Sequence, residues 1–288
     1  MTVQDVSQNL DVQWNTVKQI EKQRLQVKYK KIDLSSVTHI AIDEFSIKKG
    51  HIYQTVVMDL KTRRIIYIGM GRAQDCLDVF WKKVKQQKVC IENVAMDMWP
   101  AYIGSVSEHS PDSHIVFDKF HIIKKLNEAI SDVRRMMFHQ ETDLNNKKLL
   151  KGTRWLLLYN RENLKEKGSQ RLQEALAINI PLAQAYYLKE DLQLLWDQLN
   201  EQDANQFLNL WCEQAYSTGL TPLKKIANML KSHRTGILNW YKHQISTGPL
   251  EGMNNKIKVL KRKAYGYRDI EYFNLKILDL HTSRYALI

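Results

Sequence analysis

The spacing of apolar residues changes twice along this chain, at Val37 and after Phe120, and these changes constrain the fold more than any other feature. Between Val37 and Asp118 apolar residues come in short runs of strand length. THIAID (Thr38 to Asp43), HIYQTVVMDL (His51 to Leu60) and RRIIYIGMG (Arg63 to Gly71) read as three strands. The connections FSIKKG and KTR are short enough for antiparallel hairpins. Gln74 to Gln87 then carries Cys76, Leu77, Phe80, Trp81 and Val84 on one helical face. NVAMD (Asn93 to Asp97) is a fourth strand, Pro100 to Val106 a short helix, and HIVFD (His114 to Asp118) a fifth strand. From Phe120 to about residue 245 the spacing is helical throughout, with Trp155, Trp196, Trp211 and Trp240 expected in the core.

This order specifies an α/β chain with a mixed sheet, and it matches the element order of a ribonuclease H-like sheet. In that fold the first and fourth strands are neighbours, so Asp43 and Asp97 are expected at one edge. The helical stretch 120–245 reads as an all-helical insertion, with residues 31–119 and 246–288 forming the ribonuclease H-like core. Residues 1–30 read as a short N-terminal helical segment. Val3, Val6 and Leu10 space one helix, Asp11 breaks it, and Trp14, Val17, Ile20 and Leu25 space a second. The pair resembles the last two helices of a helix-turn-helix unit, and equally an ordinary amphipathic pair.

The acids at strand ends carry the chemistry. Asp43 closes the first strand, Asp97 the fourth, and Glu251 stands in the first turn of a late helix. Mg²⁺ prefers such hard oxygen ligands and completes its shell with water and substrate phosphates. Glu44, Asp59 and Asp118 are rival acids; strand alternation sends Asp43 and Glu44 to opposite faces, so only one of them joins a given site.

The late helix begins at GPLEG, with Pro249 suited to its first turn. Leu250, Met253, Ile257, Leu260 and Ala264 make its buried stripe, and Glu251, Asn255, Lys258 and Arg262 line up elsewhere on its surface. Lys256, Lys258, Lys261, Arg262, Lys263 and Arg268 place six cations between 256 and 268 with no acid among them. A solvated helix usually alternates signs, so this run reads as a phosphate-tracking surface in which Asn255 joins the cations. The formal net charge of +12 fits a polyanionic partner. Cys76, Cys90 and Cys212 form no CxxC pair and read as buried free thiols. With no apolar run of spanning length and no signal peptide, the chain reads as cytoplasmic, without a membrane.

At these residues the chain resembles the DDE transposases of bacterial insertion sequences, specifically the ISL-three group. The matching stretches are AIDEFSIKKGHIYQTVVMDL, VAMDMWPAY, IVFDKFHIIKKLNEAISDVRR, LLKGTRWLLL and GPLEGMNNKIKVLKRKAYGYRD. They occur in the family's order from about Lys31 onward. The resemblance implies metal-dependent cleavage at the inverted-repeat ends of an element and strand transfer into target DNA, by a homo-oligomer assembled on DNA in the bacterial nucleoid. Carried over by position, the three acids are Asp43, Asp97 and Glu251, holding two Mg²⁺ or Mn²⁺ ions; Asp118 is the rival for the second place. Family members carry a zinc-binding module and a complete helix-turn-helix before this region, so the chain reads as an N-terminally shortened copy. Two other readings fit the same residues: a ribonuclease H-like nuclease without strand transfer, and a catalytically silent DNA-binding protein.

Overall fold

The computed structural model of the protein describes residues 2–48, 50, 52–159 and 161–281. In chain order it has α1 (Val3–Leu10), α2 (Trp14–Tyr29), β1 (His39–Lys48), β2 (Ile52–Asp59), β3 (Arg64–Met70), α3 (Asp78–Gln86), β4 (Asn93–Met96), α4 (Pro100–His109) and β5 (His114–Phe117). Eight helices follow: α5 (Lys119–Gln140), α6 (Leu144–Gly152), α7 (Glu166–Ala177), α8 (Ile180–Gln193), α9 (Glu201–Ser217), α10 (Thr221–Ser232), α11 (Arg234–Leu238) and α12 (Trp240–His243). The chain ends in α13 (Gly248–Lys263) and α14 (Ile270–Asp279). It divides into two units, Met1–Val116 with Ile245–Ile288, and Phe117–Gln244.

The first unit is built on a mixed five-stranded sheet of order β3-β2-β1-β4-β5. β1 and β2 pair antiparallel, as do β2 and β3, while β1 runs parallel to β4 with Ile40 opposite Val94 and Ala41 opposite Ala95. One face of the sheet, through Ala41, Phe45, Val56, Met58 and Ala95, packs on Leu250, Met253 and Ile257 of α13 and on Phe273 and Ile277 of α14. Burying each of those α13 side chains contributes about 1.5–3 kcal/mol. On the other face Tyr102 of α4 reaches Thr55 of β2, hydroxyl to hydroxyl at 2.9 Å.

β1 is longer than the sequence pattern implies. It continues past Asp43 through most of the expected connector to Lys48, paired along its length with β2. The parallel pairing with β4 stops at Ala41, so Asp43 sits where β1 loses one neighbour rather than where it ends. The tip of that connector, at residues 49 and 51, lies outside the described residues.

The N-terminal helices follow the expected break: Asp11 adopts a left-handed conformation (φ 48°) and closes α1. The buried face of α2 is not the expected stripe, however. Trp14 and Ile20 are exposed, and Leu25 is the one buried residue of α2, packed with Tyr272 and Leu275 of α14. The face turned to α14 is largely ionic. Asp269, the N-cap of α14, accepts from the Tyr272 amide and pairs with Lys18 (3.0 Å) and Lys22 (3.1 Å). Lys22 also pairs with Glu271, and Lys276 with Glu21. An apolar stripe on α2 loses this face because α14 offers carboxylates there.

The Tyr272 amide, then Lys18 and Lys22, hold the Asp269 carboxyl well below the usual carboxylate range. A depressed folded-state value gives stability that is present above the ordinary carboxylate range near pH 3.9 and lost as pH falls beneath it. Asp269→Asn should therefore lower the thermal midpoint at pH 7 and flatten its fall on acidification. A midpoint that drops as steeply in the variant as in the wild type assigns the acid sensitivity elsewhere.

The second unit has no strand of its own among the described residues beyond Phe117, which ends β5. Trp196 and Trp211 are buried as expected, but Trp155 is 63% exposed, beside the Arg154 guanidinium. Trp240 is partly buried. Cys76 and Cys212 are buried, whereas Cys90 is exposed. Among the described residues no helix is long and apolar enough to cross a membrane.

Candidate active site

Asp43 and Asp97 each lie two residues beyond the last paired positions of β1 and β4, Ala41 and Ala95. Side chains two apart on a strand share a face, so Asp43 continues the face that Ala41 turns to α13, while Asp97 directly follows the last residue of β4. The helix reaches this edge directly: Asn254 Nδ2 donates to Asp43 Oδ2 at 2.7 Å. Asp43 Oδ1 accepts from the Glu44 amide (2.8 Å), and Asp97 Oδ1 accepts from the Trp99 amide (2.9 Å), a turn that leads into α4.

Glu44 points to the opposite face, where its carboxylate accepts from the buried Tyr102 hydroxyl (3.3 Å). It nevertheless feels both aspartates. Burial first, then Asp97 and Asp43, push the Glu44 carboxyl up, while Arg72 opposes them. Burial and the Glu44 charge raise the Tyr102 phenol in turn. Three acids thus share one edge with a single opposing cation named in their field.

The rival acids have local employment. Asp59 accepts from the Lys61 and Thr62 amides and closes the β2–β3 hairpin; it pairs with Ile40, toward the other end of β1 from Asp43. Asp118 caps α5 by accepting from the Phe120 amide at 2.7 Å, and β5, which precedes it, is separated from β1 by β4.

Glu251 lies on the exposed surface of α13, three residues before Asn254 and so one turn closer to the N-terminus. The structure brings Asp43 and Asp97 to one edge and α13 onto Asp43. Among the described residues it does not gather three acid, histidine or cysteine side chains closely enough to hold one ion. The basic run is on the surface as expected: Asn255, Lys256, Lys258, Arg262, Lys263 and Arg268 are exposed and Lys261 is partly so. None of these cations enters an ion pair among the described residues. Ala264, expected in the buried stripe, is exposed at the end of α13.

Asn254 escaped the sequence reading. It is 5% exposed and lies between Met253 and Ile257 on the buried side of α13. A polar residue inside an apolar stripe was the available signal. Its Oδ1 is buried without a hydrogen-bond partner, beside Asp43. Clustered hard-oxygen donors, mutual repulsion at Glu44 and this orphaned oxygen are features that a divalent cation at the Asp43–Asp97 edge would satisfy.

A family model described as transposase, that of the ISL-three DDE group, matches residues 40–277. The chain belongs to that family. It is 39% identical over 280 residues to the transposase of insertion sequence element IS1001 from Bordetella parapertussis, covering 96% of this chain and 68% of that protein. It is 27% identical over 287 residues to the transposase of element IS1557 from Mycobacterium tuberculosis, covering 91% of this chain and 64% of that protein. The chain thus spans about two thirds of the length of these curated relatives. A solved Drosophila P element transposase strand transfer complex aligns over 92% of this chain and 81% of its own, at 11% identity and a TM-score of 0.42, too distant to bear on the site.

Proposed function

We propose that the chain is the catalytic part of a DNA transposase with a ribonuclease H-like core, cleaving at insertion-sequence ends and joining them to target DNA. In this reading residues 120–245 are a helical insertion into that core, and several copies assemble on the DNA. One observation carries it: Asp43 and Asp97 each follow by two residues the last paired positions of the adjoining parallel strands β1 and β4, and Asn254 ties α13 to the first of them. Family membership supplies the reaction class.

Asp43, Asp97 and Glu251 would hold two Mg²⁺ or Mn²⁺ ions. Bound there, the ions supply Lewis-acid stabilisation of the attacking and leaving oxygens of an in-line displacement. Asn254 holds Asp43 in one orientation through its amide. Bringing in Glu251 requires a change in its side chain or in the first turn of α13, as metal and DNA enter. The exposed row Asn255, Lys256, Lys258, Lys261, Arg262, Lys263 and Arg268 grips backbone phosphates, which positions DNA without reading its sequence.

The test of the reaction is a joining assay with pre-cut ends and Mg²⁺ or Mn²⁺. Joined product supports transposition. Cleavage without joining favours a nuclease, and neither reaction favours a silent DNA-binding protein. Binding is tested separately. Lys258→Ala with Arg262→Ala should weaken duplex binding about equally across sequences. The slope of log affinity against log salt should shrink by about 0.9 for each lost phosphate contact. An unchanged slope would mean that this face of α13 does not meet the backbone.

A further inference from the structure

Arg72 is held in an unusual way beside the acidic edge. β3 ends at Met70, and Gly71 takes a φ of +83°, a left-handed conformation that glycine adopts without strain. The Gly71 amide donates to the Tyr53 carbonyl (2.9 Å), which fixes the turn. The guanidinium then lies between two rings, its Cζ 4.6 Å from the Tyr53 centroid and 4.8 Å from that of Trp99. Trp99 is itself fixed twice. Its indole N–H donates to the Arg72 carbonyl (2.9 Å), and its backbone amide donates to Asp97. So the residue that sandwiches Arg72 is hydrogen-bonded to one of the two aspartates of the site.

A guanidinium stacked on its faces keeps its donor edge free for a planar, bidentate partner such as a phosphate. Among the described residues no carboxylate lies within 4.0 Å of Arg72. Trp99, which stacks on the guanidinium, donates its backbone amide to Asp97, and this places the cation beside the Asp43–Asp97 edge. An edge that bears three acids repels the DNA backbone it must approach. A rigid, unpaired cation beside those acids relieves that repulsion at one point.

We propose that Arg72, clamped by Tyr53 and Trp99, binds a backbone phosphate of DNA next to the Asp43–Asp97 edge. This rests on the transposase reading above and adds a DNA contact on the sheet side, apart from the α13 row. Tyr53 and Trp99 are positioning residues, since they act through Arg72.

The test is the salt dependence of duplex binding by the full chain, with Ca²⁺ present so that binding is read apart from cleavage. Arg72→Ala should flatten the slope of log affinity against log salt by about 0.9, the value of one phosphate contact. Arg72→Met should flatten it equally while keeping an unbranched chain between the two rings, so a folding defect in the Ala variant leaves the test intact. Arg72→Lys should restore the slope, which a merely structural role would not do. Slopes unchanged in Arg72→Met while Lys258→Ala flattens its own would overturn the assignment and leave the DNA reading standing. A wild type with no salt-dependent binding would overturn both.

Discussion

Asp43→Asn should reduce metal-dependent DNA cleavage by at least about a hundredfold while leaving DNA binding in place. A bound cation supplies several kcal/mol of transition-state stabilisation, and each 1.36 kcal/mol is about tenfold in rate. Removing a charged ligand forfeits much of that. The fold should tolerate the change. The new amide can keep its oxygen toward the Glu44 amide, where Asp43 Oδ1 now accepts. Its NH₂ then faces Asn254, whose Oδ1 has no partner, so rotating the Asn254 amide restores a hydrogen bond. Binding survives because it rests on Lys and Arg, and losing an acid from the edge eases phosphate repulsion. Glu251→Gln should behave the same way. Glu44→Gln should not, since Glu44 faces Tyr102 on the other side of the sheet. The assay uses pre-cut ends, or any duplex with Mn²⁺. Equal cleavage by wild type and Asp43→Asn would sink the metal-site reading.

The parts of the candidate site are local, which is why they could be read from the sequence. A strand of six residues, a Pro in a first turn and a run of cations each show in a short window. The neighbouring of β1 and β4 came from element order alone. What escaped was set by pairing partners rather than by the local pattern. β1 extends to Lys48 because β2 pairs with it that far, so Asp43 is not a strand end. The side of α2 turned to α14 follows acids more than 240 residues away, and Trp14 and Ile20 of its apolar stripe are left outside. Trp155 reads as core by type but stands exposed. Asn254 and Arg72 become candidates only when α13 meets β1 and when the β3 turn meets Trp99. Apolar periodicity marks what is buried; it does not mark which polar residue is buried on purpose.

The largest effect on stability should come from Lys189, which no sequence motif flags. It sits on α8 and is 1% exposed. Its ammonium donates to the carbonyls of Leu157 (3.1 Å) and Tyr159 (2.8 Å) and lies 2.7 Å from Glu190 Oε1. The Glu190 contact is an ion pair outside hydrogen-bonding geometry, since that oxygen has no hydrogen-bond partner. Lys189 therefore ties the non-helical segment after α6 to α8, through backbone groups that have no ladder of their own. Lys189→Ala leaves those carbonyls without their donor and opens a cavity along the lost methylenes, at a cost of about 3–5 kcal/mol. Lys189→Met refills the volume but not the donors and should cost about 1–3 kcal/mol. Urea titration followed by helix signal reads both. Burial pulls the Lys189 pKa down, with Glu190 opposing. The unfolded chain then holds the extra proton in the window just below the ordinary lysine value near 10.4, so stability from this residue rises with pH there. The gap between wild type and Lys189→Met should widen over that alkaline window. Midpoints equal to wild type in both variants would mean that the buried ammonium holds nothing in place.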